Sequence, residues 1–342
     1  MGLFGSNQGG RGTPDSSMRE VLDEMQALGL TPPWTLSPQE ARKQPTPAHG
    51  AKQVMRKRGL DPDDDMGIAT RDFTIPGPGG PIPARLYGTE GETEAKPVVV
   101  YFHGGGWVIA DLDVYDSTPR ALAKATGCIF VSCHYRQAPE NTFPAAHEDA
   151  WAAWQWVVAN AASSGGDPQR IAVAGESAGG NLAANVSIMA RDHGVQPPLA
   201  QILVYPIADN DTNTASYIEH ADARPLNKPF MEWFVSHVFA DDAQTADPRI
   251  RLVEADLAGL PPTTIIAAEI DPLRSEGERL AERLEQAGVE VDYHCYGGVA
   301  HEFFGMGLVV KDAAAAQARV AAALKKALGH GGVMGRLADA LG

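Results

Sequence analysis

Short apolar runs alternate with amphipathic stretches through most of the chain. The runs at 98–102, 128–133, 171–174, 199–205, 263–268 and 289–296 have the length of strands, and the stretches at 117–125, 145–159, 275–286 and 310–328 have helical spacing. Continuous apolar strands separated by helices are typical of a parallel sheet that is covered on both faces. The pattern therefore predicts an α/β fold with a mostly parallel central sheet and helices on both sides.

Two regions depart from this rhythm. Residues 1–60 hold two predicted helices, 17–28 and 48–58, with a proline-rich stretch between them, and Ser17 is the expected cap of the first helix. Residues 207–250 are polar at first and then carry aromatic residues at helical spacing. Helices of this kind must bury an apolar face against the rest of the protein. We therefore expect an N-terminal cap segment (1–60), a core in two parts (61–206 and 251–329), a cap insertion (207–250) and a C-terminal tail (330–342).

A Gly-Glu-Ser-Ala-Gly pentapeptide at 175–179 stands between a predicted strand and a predicted helix. The Gly-x-Ser-x-Gly pattern in this context is a nucleophile elbow, a turn so tight that only glycine fits at Gly175 and Gly179. The turn lifts the Ser177 hydroxyl clear of the backbone at the carboxyl end of the strand. A serine that merely caps a helix would need no flanking glycines. Ser177 is therefore the candidate nucleophile.

A glycine run follows an earlier strand and supplies a second element of the same chemistry. His103-Gly104-Gly105-Gly106 comes directly after the run at 98–102, where lipases and esterases carry an oxyanion-hole motif. Gly104 and Gly105 would offer backbone N–H groups to a developing oxyanion, together with the N–H of Ala178. A phosphate-binding loop would end in Lys-Ser/Thr, and this run does not.

Asp271 and His301 follow later strands and complete the chain order Ser, Asp, His. His301 is the candidate general base, and Asp271 would orient it and stabilise the imidazolium. The alternative for His301 is a histidine in a surface loop without a catalytic role. Asp271 precedes Pro272 and could instead cap a helix. Glu269 and Glu276 are rival acids.

Several further motifs carry a family resemblance. The chain resembles the hormone-sensitive-lipase-like esterases of the α/β-hydrolase superfamily over roughly residues 70–310. The motifs are HGGGW at 103–107, HYRQAPE at 134–140, GESAGG at 175–180, DPLR at 271–274 and HEFF at 301–304. The resemblance implies an α/β-hydrolase fold with a helical cap. It also implies hydrolysis of short- to medium-chain carboxylic esters through an acyl-enzyme on Ser177, without a cofactor or metal.

Two positions depart from the family pattern, and two other function classes stay open. The family usually has Asp where Glu176 stands, and often Asp where Ser275 stands. An amidase or peptidase would use the same machinery as an esterase. A hydrolase-like binding protein would typically have lost a triad residue or the glycine run, and both are present. Dimers are common in the family, so a homodimer is left open.

Composition excludes several other classes of partner. The net charge of −15 argues against nucleic acid and offers no basic patch for anionic lipid. The longest apolar runs are strand-sized, so no membrane insertion is expected. The three cysteines have no metal-site spacing and are expected to be buried thiols. No secretory signal is visible, which predicts a cytoplasmic location.

Overall fold

The computed structural model of the protein describes residues 12–88 and 94–329. The predicted tail at 330–342 and the first eleven residues of the predicted N-terminal cap segment lie outside the described residues. The strands are β1 (Ala69–Gly77), β2 (Gly80–Gly88), β3 (Lys96–Phe102), β4 (Ile129–Cys133), β5 (Gly166–Glu176), β6 (Gln201–Val204), β7 (Thr263–Ile270) and β8 (Val291–Ala300). The α-helices are α1 (Ser16–Ala27), α2 (Pro38–Ala41), α3 (Pro47–Lys57), α4 (Ser117–Thr126), α5 (Ala145–Asn160), α6 (Ala178–Asp192), α7 (Ala215–Glu219), α8 (Lys228–Val238), α9 (Arg274–Gln286) and α10 (Lys311–Leu328).

These strands form an eight-stranded sheet in the order β1-β2-β4-β3-β5-β6-β7-β8. Neighbours from β4 to β8 pair in parallel, whereas β2 pairs antiparallel with β4 and with β1. The predicted α/β fold with a mostly parallel sheet is confirmed. Since parallel strands end at the same edge, the loops after β3, β5, β7 and β8 meet there.

Two apolar clusters cover the two faces of the sheet. Along β3, Val98, Val100 and Phe102 belong to one cluster, and Val99 and Tyr101 belong to the other. Successive side chains of a strand point to opposite faces, so the two clusters lie on opposite sides of the sheet. Helices α5, α6, α8 and α9 contribute to the first cluster, and α1, α3, α4 and α10 contribute to the second.

The structure corrects several element boundaries. The cap of α1 is Asp15, not Ser17, because the Asp15 carboxylate accepts the Met18 N–H at 2.8 Å. Strand β8 continues to Ala300 instead of ending at 296, and β5 begins at Gly166 instead of 171. The extension of β8 begins with two glycines, and that of β5 contains glycine, proline and polar residues; such residues hide a strand from a search for apolar runs.

The segments outside the sheet and its helices cover it in two places. Residues 33–42 contact α8, where the Trp233 indole N–H donates to the Leu36 carbonyl at 3.1 Å. The Trp34 and Phe230 rings lie 5.9 Å apart in the same contact. Helices α1 and α3 instead pack into the second cluster, beside the loops that follow β8.

Candidate active site

Ser177 stands in a strained turn between β5 and α6. Its φ of 55° and ψ of −118° are unusual for a residue with a side chain and are typical of functional sites. The Ser177 N–H donates to the Val204 carbonyl at 2.8 Å, which ties the turn to the end of β6. A Cβ on Gly175 or on Gly179 would lie 2.0 Å from a backbone oxygen, so no larger residue fits there.

The structure brings Ser177, His301 and Asp271 into one hydrogen-bonded chain. His301 Nε2 lies 3.0 Å from Ser177 Oγ, and His301 Nδ1 lies 2.6 Å from Asp271 Oδ2. The second Asp271 oxygen accepts the Leu273 N–H at 2.9 Å. All three side chains are buried. Such a chain can draw a proton from the serine and hold it on the imidazole.

The two rival carboxylates are bound elsewhere. Glu269 accepts the Gly298 N–H at 2.7 Å and thereby holds the C-terminal end of β8. Glu276 accepts the Ala208 N–H at 2.8 Å, and burial raises the pKa of its carboxyl well above the usual value. Of the three candidate acids, Asp271 is the one at hydrogen-bond distance from His301.

The surroundings of His301 favour its protonated form. Burial alone lowers the pKa of the imidazole, but the charge and hydrogen bond of Asp271 outweigh this, with further contributions from Glu302 and Glu176. The net result is a raised pKa. A base that must hold a proton during the reaction needs such support.

The loop after β3 is held in place by side chains that had no predicted role. The Tyr135 hydroxyl donates to the carbonyls of His103 at 2.9 Å and Gly104 at 3.2 Å. His103 Nδ1 lies 2.8 Å from the same Gly104 oxygen, and burial lowers the pKa of this imidazole to about 3. Tyr135 belongs to the motif at 134–140, so family resemblance was the one signal that could have found it.

Arg42 anchors the N-terminal segment to the same loop. Its Nε donates to the Val108 carbonyl and its Nη2 to the Ala138 carbonyl, both at 2.8 Å. The guanidinium also pairs with Glu140. On the other flank, a Cβ on Gly106 would lie 2.3 Å from the Phe234 ring of α8. The loop with the candidate oxyanion donors is therefore held from two sides.

Ala178 is the first residue of α6, and Gly104 and Gly105 lie in the fixed loop that follows β3. The first N–H groups of a helix have no partner within the helix, and its dipole favours negative charge there. The site thus combines the elbow, the glycine loop and a helix N-terminus at one edge of the sheet. The role of these three residues as oxyanion donors stays a prediction.

The two departures from the family pattern have defined contacts. Glu176 accepts a hydrogen bond from the Tyr101 hydroxyl at 2.6 Å and another from the Tyr205 hydroxyl. The Tyr205 ring in turn lies 4.4 Å from the His301 ring. Burial, with the charge of Glu302, raises the pKa of Glu176 to about 7. Ser275 exchanges hydrogen bonds with Ser216 and joins α9 to α7.

Comparisons with known proteins agree with this geometry. A family model described as the α/β-hydrolase fold matches residues 99–305. The chain belongs to the α/β-hydrolase family. Carboxylesterase NlhH of Mycobacterium tuberculosis is 44% identical over 251 residues, which are 72% of this chain and 79% of the relative. Ethyl acetate hydrolase of Pseudomonas putida is 33% identical over 308 residues, which are 87% and 93% of the two chains.

Solved structures of esterases are similar to this protein over nearly its whole chain. A thermostable esterase from Pseudomonas putida ECU1011 has a TM-score of 0.85 at 32% identity and covers 94% of this chain and 99% of its own. A hyperthermophilic esterase from Pyrobaculum calidifontis has a TM-score of 0.83 at 36% identity, with 92% and 98% covered. The resemblance to hormone-sensitive-lipase-like esterases is confirmed.

Two features of the described residues bear on other kinds of site. None of their helices is both long and apolar enough to cross a membrane. Within 12–88 and 94–329, no three His, Cys, Asp or Glu side chains are grouped to hold a metal ion. Cys128 and Cys133 are buried free thiols, and Cys295 is half-buried.

Proposed function

We propose that this protein hydrolyses short- to medium-chain carboxylic esters through an acyl-enzyme on Ser177. The hydrogen-bonded chain from Ser177 Oγ through His301 to Asp271 is the observation that carries the proposal. Ester hydrolysis is also the activity named for its relatives in Mycobacterium tuberculosis and Pseudomonas putida.

In the first half of the reaction, Ser177 Oγ attacks the ester carbonyl carbon while His301 Nε2 takes the hydroxyl proton. Asp271 holds the imidazole through Nδ1 and stabilises the imidazolium. The carbonyl oxygen becomes an oxyanion beside the N–H groups of Gly104, Gly105 and Ala178. His301 then returns the proton to the alcohol oxygen, the C–O bond breaks, and the alcohol leaves. Water attacks the acyl-enzyme by the same route and releases the acid.

We also propose that the predicted cap, whose residues 33–42 and α8 contact each other, limits acyl-chain length. Phe234 of α8 supports this role because its ring lies against Gly106 of the glycine loop. A cavity of about 30 Å³ lies beside it, lined mainly by apolar residues such as Trp107 and Ile207. A cavity this small next to Phe234 leaves little space for an acyl chain on this side of the site. A cytoplasmic location and a homodimer stay predictions from the sequence.

The test combines labelling with a serine replacement. A fluorophosphonate probe should label Ser177, and Ser177→Ala should lose the label and about 10⁶-fold in kcat, the scale for removing a triad serine. Ser163→Ala, at an exposed serine, is the matched control and should keep both. Labelling of another serine, with activity retained in Ser177→Ala, would refute the proposal. Faster cleavage of p-nitroacetanilide than of p-nitrophenyl acetate would instead identify an amidase.

A further inference from the structure

The Tyr115 side chain packs against the glycine loop at Gly104. A Cβ on Gly104 would lie 2.2 Å from the Tyr115 hydroxyl oxygen and 3.0 Å from the ring carbon that carries it. The backbone conformation does not require glycine at 104, because the φ of Gly104 lies outside the left-handed region, unlike those of Gly105 and Gly106. Position 104 therefore needs a glycine for lack of space, and the nearest atom that takes this space belongs to Tyr115.

The Tyr115 hydroxyl is held by the residue that follows the candidate base. It donates to Glu302 Oε1 at 2.5 Å, and the same oxygen lies 3.9 Å from His301 Nε2. Tyr115 is buried, and the Glu302 side chain is 22% exposed. A hydrogen bond from a hydroxyl to a carboxylate is stronger than one between two neutral groups. This bond therefore fixes where the phenol lies.

The backbone of Glu302 is strained at this contact. Its φ of 71° and ψ of 3° lie in the left-handed region, which residues with a side chain seldom adopt. Such strain persists only where the surrounding contacts over-determine the conformation, and it clusters at functional sites. The hydrogen bond to Tyr115 is a contact of this kind. It joins the loop after β8 to the segment that precedes α4.

We propose that Tyr115 is a positioning residue that keeps Gly104 in place for the oxyanion, and that Glu302 keeps Tyr115 there. The inference rests on the proposed function. The Gly104 carbonyl is held by the Tyr135 hydroxyl at 3.2 Å, so Tyr115 adds a second restraint on the same residue. Oxyanion donors act only within a narrow range of distance, which makes the position of the loop decisive for rate. The pair would join the oxyanion loop to the residue beside the base.

Removing the hydroxyl is the first arm of the test. Tyr115→Phe keeps the ring, and kcat for methyl acetate on the high-pH plateau should fall about tenfold, less than the roughly 10²- to 10³-fold loss of a whole donor. KM should change little, because the oxyanion exists only after attack. The affinity for a trifluoromethyl ketone, which forms an oxyanionic adduct with the serine, should fall by a similar factor.

Tyr87→Phe is the matched control for that variant. Tyr87 is a buried tyrosine of β2, and its hydroxyl donates to the Asp116 carboxylate at 3.0 Å. Its replacement removes the same kind of hydrogen bond one residue away from Tyr115 and should leave kcat and ketone affinity in place. Unchanged values in Tyr115→Phe, or equal losses in the two variants, would overturn the inference.

A size exchange is the second arm. Gly104→Ala alone places a methyl group against the Tyr115 hydroxyl and should lower kcat about 10²-fold, the scale of one lost donor. In Gly104→Ala with Tyr115→Phe, the nearest phenyl atom would lie 3.0 Å from the new Cβ, which a small shift accommodates. The double variant should therefore be about tenfold faster than Gly104→Ala, although Tyr115→Phe alone is slower than the native protein. Losses that add in the double variant would overturn the inference.

The design separates this inference from the proposed function. A native protein that hydrolyses no ester and takes up no fluorophosphonate would refute the proposed function itself. A native protein that hydrolyses methyl acetate, but whose kcat ignores the Tyr115 hydroxyl, would refute the positioning role alone. The Ser177→Ala variant gives the background rate for each measurement.

Discussion

The reacting centre and the segments that cover it are built in opposite ways. Ser177, Asp271 and His301 all follow strands of one sheet, are buried, and are joined by contacts of 3.0 and 2.6 Å. The cover comes from segments far apart in the chain, such as residues 33–42 and α8, which meet through aromatic rings. A cavity of about 30 Å³ lies beside α8, and one of about 470 Å³ lies between α3, α4 and residues 302–309.

This difference separates rate from selectivity. Polar atoms at the strand ends have fixed distances because the sheet sets their positions, so a change there should affect all substrates alike. The cover contacts the centre through apolar side chains, such as Phe234 against Gly106. A change there should alter the space available and thereby the relative rates of different esters.

The strongest test of this comparison is the replacement of Asp271, the proposed acid of the triad. Asp271→Asn should lower kcat about 10⁴-fold for every ester, because the amide stabilises the wrong imidazole tautomer and carries no charge for the imidazolium. Steady-state rates on methyl acetate and on naphthylmethyl acetate would measure this. The ratio between the two substrates should stay constant.

Glu269→Gln is the control for that variant, since Glu269 accepts the Gly298 N–H and does not reach His301. It should cost far less than the Asp271 replacement. If Glu269→Gln proved the more damaging of the two, the assignment of the acid would be wrong.

The reacting centre was largely predictable from sequence, and the cover was not. The elbow at Ser177 and the loop at Gly104 are local patterns, because a strand followed by a tight glycine turn is encoded within a few residues. Asp271 could be ranked above Glu269 and Glu276 by chain order, but its contact with His301 depends on where β7 and β8 end in space.

No local sequence pattern predicts the contacts of Arg42 and Tyr115. Arg42 lies 66 residues before the carbonyl of Val108 that it binds, and Tyr115 lies 187 residues before Glu302. Contacts of this range depend on the packing of the folded chain and have no period in the sequence. The N-terminal segment is divided, because residues 33–42 contact α8 whereas α1 and α3 pack into the second cluster. The sequence analysis missed this division for the same reason.

A change in the cover should move selectivity by a smaller factor than the loss caused by Asp271→Asn. Phe234 is buried and lines the smaller cavity, so Phe234→Ala should enlarge the acyl side. We expect the ratio of kcat/KM for ethyl octanoate to that for ethyl acetate to rise about ten- to a hundredfold, the range for a few methylenes in a pocket.

Val235→Ala on the same helix is a milder version of this change, because Val235 lines that cavity but is 36% exposed. It should move the ratio in the same direction and by less. A fall in all rates with an unchanged ratio would show that α8 supports the reacting centre itself, and the comparison would fail.

Replacing Arg42 tests the contact between the N-terminal segment and the loop after β3. Arg42→Met keeps the aliphatic stem but leaves the carbonyls of Val108 and Ala138 without their charged donor. The free energy of unfolding should fall by about 1 to 3 kcal/mol, as for buried groups left unsatisfied. Denaturant unfolding measures this, with Arg56→Met at an exposed arginine as the control. Equal stability of the two variants would show that Arg42 is not an anchor.

The smallest expected effect is electrostatic and comes from Glu302, at the boundary between the centre and the larger cavity. The charges of Asp271, Glu302 and Glu176 each raise the pKa of the His301 imidazole against the opposing effect of burial. Glu302→Gln removes one negative charge at constant size, so the pKa of His301 should fall. Since the base must be unprotonated to act, the acidic limb of the kcat/KM profile should move to lower pH.

Plateau rates on methyl acetate should change little, because Gln keeps a group that can accept the hydrogen bond of the Tyr115 hydroxyl. Glu282→Gln, at an exposed position of α9, removes a charge far from the loop after β8 and should leave the acidic limb in place.

A limb that moved to higher pH in Glu302→Gln would contradict the sign of the interaction between Glu302 and His301. A limb that stayed in place would mean that Glu302 is already protonated where His301 titrates. Burial raises the pKa of the Glu302 carboxyl. The profile therefore measures which of two neighbouring buried groups holds the proton first.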